Sequence, residues 1–501
     1  MINLLTENVL VWIDNGFLHY GITKYLQNIN FKVFAVIDTY ESLKNFFQYQ
    51  KLIQFEKIWY FYDHICQKKP DLDYLASIEK KYEVNIWSIA YTDRLFYNKF
   101  NPYYKFNYDE ILSIIEQECR FFEEILTEIK PKYLLMNAST QHYQYLISKI
   151  CSAMGISVLS LEVLRFGNRC MIANGTIYDL KDITKKHNNP LKQRTMQEIR
   201  NFLDSNRPGQ FYLVEKSHKR YKNSKPEKFK AILQFLFRNL EKSKQYKYYG
   251  RTKKNVLTKG IARIHLLKKK YRAAFIKNNF SYVLNQPFVY FPLHLEPERV
   301  LLMGAPYYSD QMSVISNIAK SLPVGYRLCV KEHPVMETLG WRPKAFYKEI
   351  MDLPNVVMIH PSLNTEEIIK KSSLVITIRG TTSLEATFYG KPSIVFKEDV
   401  GYSSVPSIHI LQNIEDLPIA IRSSLSKKVD PLELNTYIDY IEENSFEFPS
   451  EKYSFEVASY FNYNVGYLKQ IKITEEQLKS FMDNFKPTFE KIASEYLKKM
   501  N

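Results

Sequence analysis

Apolar residues in the first 174 positions fall into short runs of strand length, separated by stretches in which they recur every three or four residues. The runs are NVLVWI, FKVFAVI, FEKIWYFY, VNIWSIAY, PKYLLM and ISVLSLEV, and the intervening stretches include FLHYGITKYLQN and YDEILSIIEQECRFFEEILTEI. Strand-length runs that alternate with amphipathic helices predict βαβ units around a parallel sheet, so residues 1–175 read as a first Rossmann-like domain. After Asn174 the alternation gives way to polar, turn-rich sequence (KKHNNPLKQ, DSNRPGQ) and then to a basic block of helical character from Pro226 to Asn279, so residues 176–284 read as a basic, mainly helical insert or linker. Alternation returns at FVYFPLH and runs through YRLCVKEHP, NVVMIHP, SLVITIRG and KPSIVF, which predicts a second α/β domain over 285–430. Residues 431–501 read as helical and are expected to pack back across the seam between the domains.

The predicted fold class is therefore α/β, with two Rossmann-like domains facing a cleft. In open parallel sheets ligands sit outside the carboxyl ends of the strands, so candidate chemistry belongs to residues that immediately follow a strand.

Composition narrows this picture. A chain of 501 residues, 45% hydrophobic, has material for two to four domains. Five scattered cysteines with no CxxC spacing suggest neither a disulfide framework nor a zinc site, and they favour a reducing cytoplasm. The N-terminal MINLLTENVLVWIDNG lacks a basic region ahead of its apolar run, so it reads as a first strand and not as a signal peptide. No apolar run reaches the roughly 18 residues of a spanning helix. The net charge of +16 is concentrated: from Lys216 to Asn279 there are 21 Lys and Arg against Glu227 and Glu241 alone, and the rest of the chain is slightly acidic.

Three constellations follow strands of the second domain. In LVITIRGTTSLEATFYGKPSIVF the β run ends at Ile378, a loop of Arg379, Gly380, Thr381, Thr382 and Ser383 follows, and a helix carrying Glu385 runs to Gly390. Free N–H groups at such a turn, with three hydroxyls, suit a phosphate, and Gly380 permits close approach. The plain structural account makes Ser383 an N-cap and Glu385 a first-turn carboxylate. In YRLCVKEHPVMETLGWR a strand delivers Lys331, Glu332 and His333 to the sheet edge, Pro334 keeps His333 extended, and Arg342 follows. An imidazole there can donate to a phosphate or a leaving nucleotide, or serve only as a satisfied structural histidine. In FVYFPLHLEPERVLLMGAPYYSDQMSVI, Asp310 and Gln311 open a helix, so Asp310 is either a cap or a carboxylate at the cleft.

In the first domain the strand of LEVLRFGNRCMI ends near Glu162, a candidate base or nucleophile, with Arg165 and Arg169 following as anion ligands. Asn15 and Gly16 after the first strand, and Asn137 to His142 after the fifth, face the expected crevice on the acceptor side. The DxD of Asp71 and Asp73 lies in a polar loop and reads as a helix cap. No dense His or carboxylate cluster suggests a metal, and no cofactor beyond a co-substrate is implied.

Taken in order, YFPLHLEPE, SDQ, LPVGYRLCVKEHP, Arg342 to Tyr347, LPNVVMIHP, TIRGTTSLEATFYGKPSIVF and Gly401-Tyr402 resemble the capsule polysaccharide biosynthesis family, which includes Kdo transferases; the match runs over roughly residues 285 to 410. The resemblance implies a GT-B fold and a glycosyltransferase using a nucleotide sugar, CMP-linked where the donor is known. It puts the family's His-Pro motif on His333 and Pro334 and its Gly-Thr loop on Gly380 to Glu385, with Glu385 on the ribose. It also implies an acidic residue near Glu162, a sugar such as Kdo, and a retaining outcome through two displacements. Gln286-Pro287 is a weaker candidate for a Gln-Pro motif. The fold also houses CDP-glycerol-type glycerophosphotransferases and UDP-sugar 2-epimerases as rival activities.

The basic block interleaves apolar residues and cations at helical spacing, which suits an anionic membrane surface and a glycan or lipid-linked acceptor at the inner face of the membrane. A solvated helix explains the same pattern. A nucleic-acid-binding arm, stacking bases on Tyr246, Tyr248 and Tyr249, is the non-enzymatic alternative.

Overall fold

The computed structural model describes residues 7–500 other than 28, 30, 67, 98, 102–103, 165–166, 177–191, 207–242, 251–264, 284–286, 400–401 and 462–471. The strands of the first half are β1 (Asn8–Asp14), β2 (Lys32–Asp38), β3 (Lys57–Tyr60), β4 (Tyr133–Asn137), β5 (Ser157–Val163) and β6 (Arg169–Asn174). Those of the second are β7 (Phe288–Pro292), β8 (Arg327–Lys331), β9 (Val356–Ile359), β10 (Leu374–Thr377), β11 (Ser393–Val395) and β12 (Ile408–Ile410), and a short β13 (Phe446–Glu447) comes later in the chain.

They form two sheets, ordered β13-β6-β5-β4-β1-β2-β3 and β12-β11-β10-β7-β8-β9. The second sheet is parallel throughout, and β1 to β5 are parallel in the first, whereas β6 and β13 add to its edge in antiparallel register. This is the doubly wound α/β pair that the alternation predicts.

Both faces of the first sheet are covered, which is why its strands read as nearly unbroken apolar runs. Leu10 and Trp12 of β1 enter one core with Leu75, Phe122 and Leu146 from three helices. Val9, Val11 and Ile13 enter the other, where the chain's last helix, Lys486–Met500, supplies Phe489, Ile492 and Tyr496. Polar anchors fix that helix: the Tyr133 hydroxyl donates to the carbonyl of Met500 at 2.7 Å, and His19 meets the Tyr496 hydroxyl at 2.7 Å. Burial holds the His19 imidazole neutral, with its pKa pushed down to about 3.

Two expectations are corrected. VNIWSIAY is not a strand; Ile86–Ala90 is a short helix whose N-cap, Asn85, accepts the N–H of Ser88. Its buried residues Ile86, Ile89 and Ala90 have helical spacing, so the eight-residue run misleads only when read as a block. The helical reading beyond Asp430 omits β13, which pairs Phe446 with Cys170 and Glu447 with Arg169.

The carboxyl ends of the two sheets face each other. Arg299, in the turn of helix Arg299–Leu302 after β7, reaches Glu162 near the end of β5 at 3.2 Å and the carbonyl of Ser139 after β4 at 3.3 Å. Lys99 of the first half pairs with Glu296 of the second at 3.1 Å. One apolar cluster spans the seam, joining Leu164, Met171 and Ala173 to Leu384, Phe388 and Val395.

Of the basic block, residues 243–250 and 265–279 are described, and the remainder lies outside the described residues. The segment at 243–250 docks on the first half: Tyr246 and Tyr248 are buried, so neither is presented for base stacking. Among the described residues no helix is long and apolar enough to cross a membrane.

A Cβ at Gly21, in helix Leu18–Gln27, would stand 2.5 Å from the ring of Phe489. Gly21→Val is therefore expected to cost about 1–3 kcal/mol by overpacking. The urea midpoint measures this, and an unchanged value would mean that the last helix is not seated here.

Candidate active site in the cleft

At the end of β7 the chain turns through His294 and Glu296, and Gln311 clamps that turn. Its side chain accepts the N–H of His294 at 2.7 Å, and it donates to the carbonyl of His294 at 3.1 Å and to Glu296 at 2.7 Å. The His294 imidazole meets the Thr377 hydroxyl, at the end of β10, at 3.1 Å. Gly380 closes over this pair: a Cβ there would lie 3.0 Å from Thr377 Oγ1 and 3.4 Å from His294 Cε1. Gly380 is thus favoured by close approach and not by a positive φ, since a Cβ there would make Thr377 give by a few tenths of an ångström.

The loop then enters helix Thr382–Phe388, with the Ser383 hydroxyl turned back onto the carbonyl of Gly380 at 2.8 Å. Thr381, Thr382 and Glu385 are half-buried at this turn. Ser383 is buried and bonded to the Gly380 carbonyl and does not cap the helix, whose N-cap position is Thr381 with no side-chain cap bond, so the hydroxyls left for a ligand are those of Thr381 and Thr382.

Lys331 ends β8 and is buried, donating to the carbonyl of Leu363 at 2.6 Å and to Thr365 Oγ1 at 2.7 Å. Burial lowers its pKa to about 8, against a smaller upward pull from the Glu385 charge. The half-buried His333 donates its N–H to Glu332 at 2.7 Å, and its Nδ1 accepts the N–H of Val335 at 3.2 Å, which assigns the ring proton to Nε2. Pro334 opens the turn that follows.

Arg342 and Arg379, expected as phosphate ligands, are corrected to braces. Arg342 is 4% exposed and is held by Glu332 at 2.8 Å, Glu296 at 2.8 Å and the carbonyl of His294 at 2.5 Å. Arg379 donates to the carbonyl of Gly304 at 3.0 Å and pairs with Asp399 at 3.0 Å. A guanidinium already held by carboxylates offers little charge to a phosphate. Asp310 is an exposed N-cap of helix Gln311–Ser321 and accepts the N–H of Met312.

The facing half carries a cavity of about 800 Å³ at the carboxyl ends of β1, β2, β4 and β5. Asn15, Gly16 and Asn137 line it, and Arg299 reaches its rim from the other half. Its floor holds two carboxylates that the residue-by-residue reading missed: Asp14 and Asp38, paired in register on adjacent strands. The available signal was the repeated Ile-Asp ending of two successive strands, VWID and AVID. Burial raises the pKa of both, Asp38 to about 6, despite hydrogen bonds that pull the other way.

Other expected residues lie elsewhere. Glu162 is fully buried and paired with Arg299; its neighbours Leu161 and Val163 line the cavity, but Glu162 does not. Arg169 turns outward along β6 to the hydroxyl of Ser445 at 2.7 Å. Arg165, Gln286 and Gly401 lie outside the described residues. His142 does not face the crevice: it is fully buried between Asp93 at 2.9 Å and Glu118 at 3.1 Å, with the Tyr248 hydroxyl on Glu118 at 2.8 Å. Asp71 caps helix Leu72–Tyr82, accepting the N–H of Tyr74.

The sequence profile of the capsule polysaccharide biosynthesis protein family matches residues 191–400, which bears out the resemblance carried by the motifs of that segment. No curated protein matches the chain. Among solved structures, Thermosulfurimonas dismutans KpsC, a beta Kdo 2,4 transferase, is 12% identical over 62% of this chain and 87% of its own, with a TM-score of 0.32. The beta Kdo 2,7 transferase of the same KpsC is 14% identical over 68% and 89%, at 0.30. Methanocaldococcus jannaschii UDP-GlcNAc 2-epimerase, in complex with UDP-GlcNAc and UDP, is 14% identical over 87% and 99%, at 0.25.

The His142 cluster makes stability depend on pH. Burial opposes protonation, but the charges of Glu118 and Asp93 and their hydrogen bonds outweigh it and lift the imidazole to about 9. A folded pKa above the unfolded value of about 6.5 gives stability that is complete below about pH 6.5 and lost as pH rises through about 9. Denaturation free energies should fall across that window in the wild type and stay flatter in His142→Gln. A wild type that is flat there would mean a neutral imidazole.

Proposed function

We propose, from the match of residues 191–400 to the capsule polysaccharide biosynthesis family, that the protein is a glycosyltransferase of surface or capsular polysaccharide synthesis. In this reading residues 285–430 bind a nucleotide sugar and residues 1–175 hold a glycan or lipid-linked acceptor. The observation that carries it is the convergence, inside the matched segment, of His333-Pro334, Lys331 and the Gly380 to Glu385 turn at the carboxyl edge of one parallel sheet.

The donor phosphate lies against Thr381, Thr382 and the Nε2–H of His333, and Glu385 takes the ribose hydroxyls. Lys331 contributes from behind, through Thr365 and its field on Glu385. Preorganised donors of this kind stabilise charge that develops on a departing phosphate. In the transfer, the bond between the anomeric carbon and the phosphate oxygen breaks, and its electron pair leaves with the nucleotide. A carboxylate of the facing half first bonds to the anomeric carbon as the phosphate departs, and the acceptor oxygen then displaces that carboxylate, which takes up the acceptor's proton, so that two displacements retain configuration. Glu162, at the seam, would serve once Arg299 releases it. The motif resemblance favours a CMP-linked acidic sugar such as Kdo.

Thermal protection by CMP, CDP, UDP and their sugar conjugates tests this. A ligand at about 100 times its Kd adds about 2.7 kcal/mol of stability, a readily measured shift. CMP compounds should protect the wild type, and His333→Ala or Glu385→Ala should abolish protection while leaving the unliganded melting temperature unchanged. Protection by none of the nucleotides would sink the transferase reading, and protection by UDP conjugates alone would favour the epimerase alternative.

A further inference from the structure

We infer that the cavity of the first half takes its acceptor as a neutral or amine-bearing sugar unit and discriminates against an acidic one. This rests on the glycosyltransferase reading above and names the substrate class of its acceptor side.

The inference comes from hydrogen-bonding capacity on the cavity floor. A carboxylate offers about four lone-pair positions. Asp38 fills three of them, accepting from Trp12 Nε1 at 3.2 Å, Tyr62 at 2.8 Å and Tyr143 at 2.9 Å. Asp14 fills two, from the N–H of Gly16 at 2.8 Å and from Asn137 at 2.6 Å. Asp14 therefore keeps acceptor capacity for incoming donors, which hydroxyls and ammonium groups have and carboxylates lack.

The cations nearby do not reverse this preference. Arg299 is engaged by Glu162 and the carbonyl of Ser139, and Arg94 is exposed at the mouth. Glu451 adds a further carboxylate to the lining. Rings of Tyr40, Phe100, Tyr249 and Tyr453 line the walls, and they suit the C–H face of a pyranose. The volume, about 800 Å³, is within the range of small-molecule sites. An acidic sugar entering here would meet Asp14 and Glu451, with the exposed Arg94 the one cation besides the engaged Arg299 among the described lining residues.

The test uses the full-length protein on an array of neutral, amino-sugar and uronate-containing oligosaccharides, with affinities of bound glycans measured by calorimetry. Neutral or amino glycans should bind, and Asp14→Asn should weaken them by about tenfold or more, the effect of a charge-assisted hydrogen bond. Asp14 also braces Asn137, so the exposed Glu451→Lys is a second variant; it should admit uronate glycans that the wild type rejects. The inference is overturned if acidic glycans bind the wild type best, if no glycan binds, or if both variants leave the preference unchanged. Nucleotide protection, measured on the same samples, separates the two readings. Protection together with a preference for acidic glycans strikes only this inference, whereas absence of protection strikes the transferase reading.

Discussion

The second half of the protein depends on one buried guanidinium. Arg342 lies between Glu332, at the end of β8, and Glu296, after β7, and its third bond reaches the carbonyl of His294. Tyr347 completes the shell, its hydroxyl donating to Glu332 at 2.8 Å. A charge out of water is tolerated only when paired and hydrogen-bonded, and breaking such a set is costly because the remaining charge stays buried. Satisfying Arg342 fixes the two strand ends relative to each other. That in turn sets His294 against Thr377 and crowds position 380, where a Cβ would lie 3.0 Å from Thr377 Oγ1.

The same network extends to the other half. Glu296 is shared between Arg342 and Lys99, and Arg299 crosses to Glu162. The seam thus has an apolar cluster on one side and ion pairs on the other. The apolar part resists separation whatever the geometry, whereas the ion pairs are directional and set how the sheets face each other. A Glu162 that serves a reaction must first give up Arg299, so the pair that orients the halves also controls a candidate catalytic carboxylate.

Charge is divided unequally across the cleft. The wall built from residues 285–430 has hydroxyls, an imidazole and a lysine, with Arg342 and Arg379 paired to carboxylates within it. The facing cavity carries carboxylates and rings. In the proposed reading a phosphate-bearing ligand belongs on the first wall and a hydroxyl-rich one on the second.

Alternation of apolar runs and helical stretches determined two largely parallel sheets, because a strand covered on both faces must be apolar on both. The motif order at His333-Pro334 and Gly380 to Glu385 determined the resemblance to the family over the matched segment, because local turns place those residues after strands whatever surrounds them. Tertiary structure decided which polar groups are free. Arg342, Arg379 and His142 look in sequence like any cation near a strand end, and only packing reveals the carboxylates that occupy them. Asp14 and Asp38 lie 24 positions apart and become a pair only when β1 and β2 align. The antiparallel β13 and the seat of the last helix on Gly21 were likewise illegible, since two-residue strands and long-range contacts leave no periodic trace in the chain.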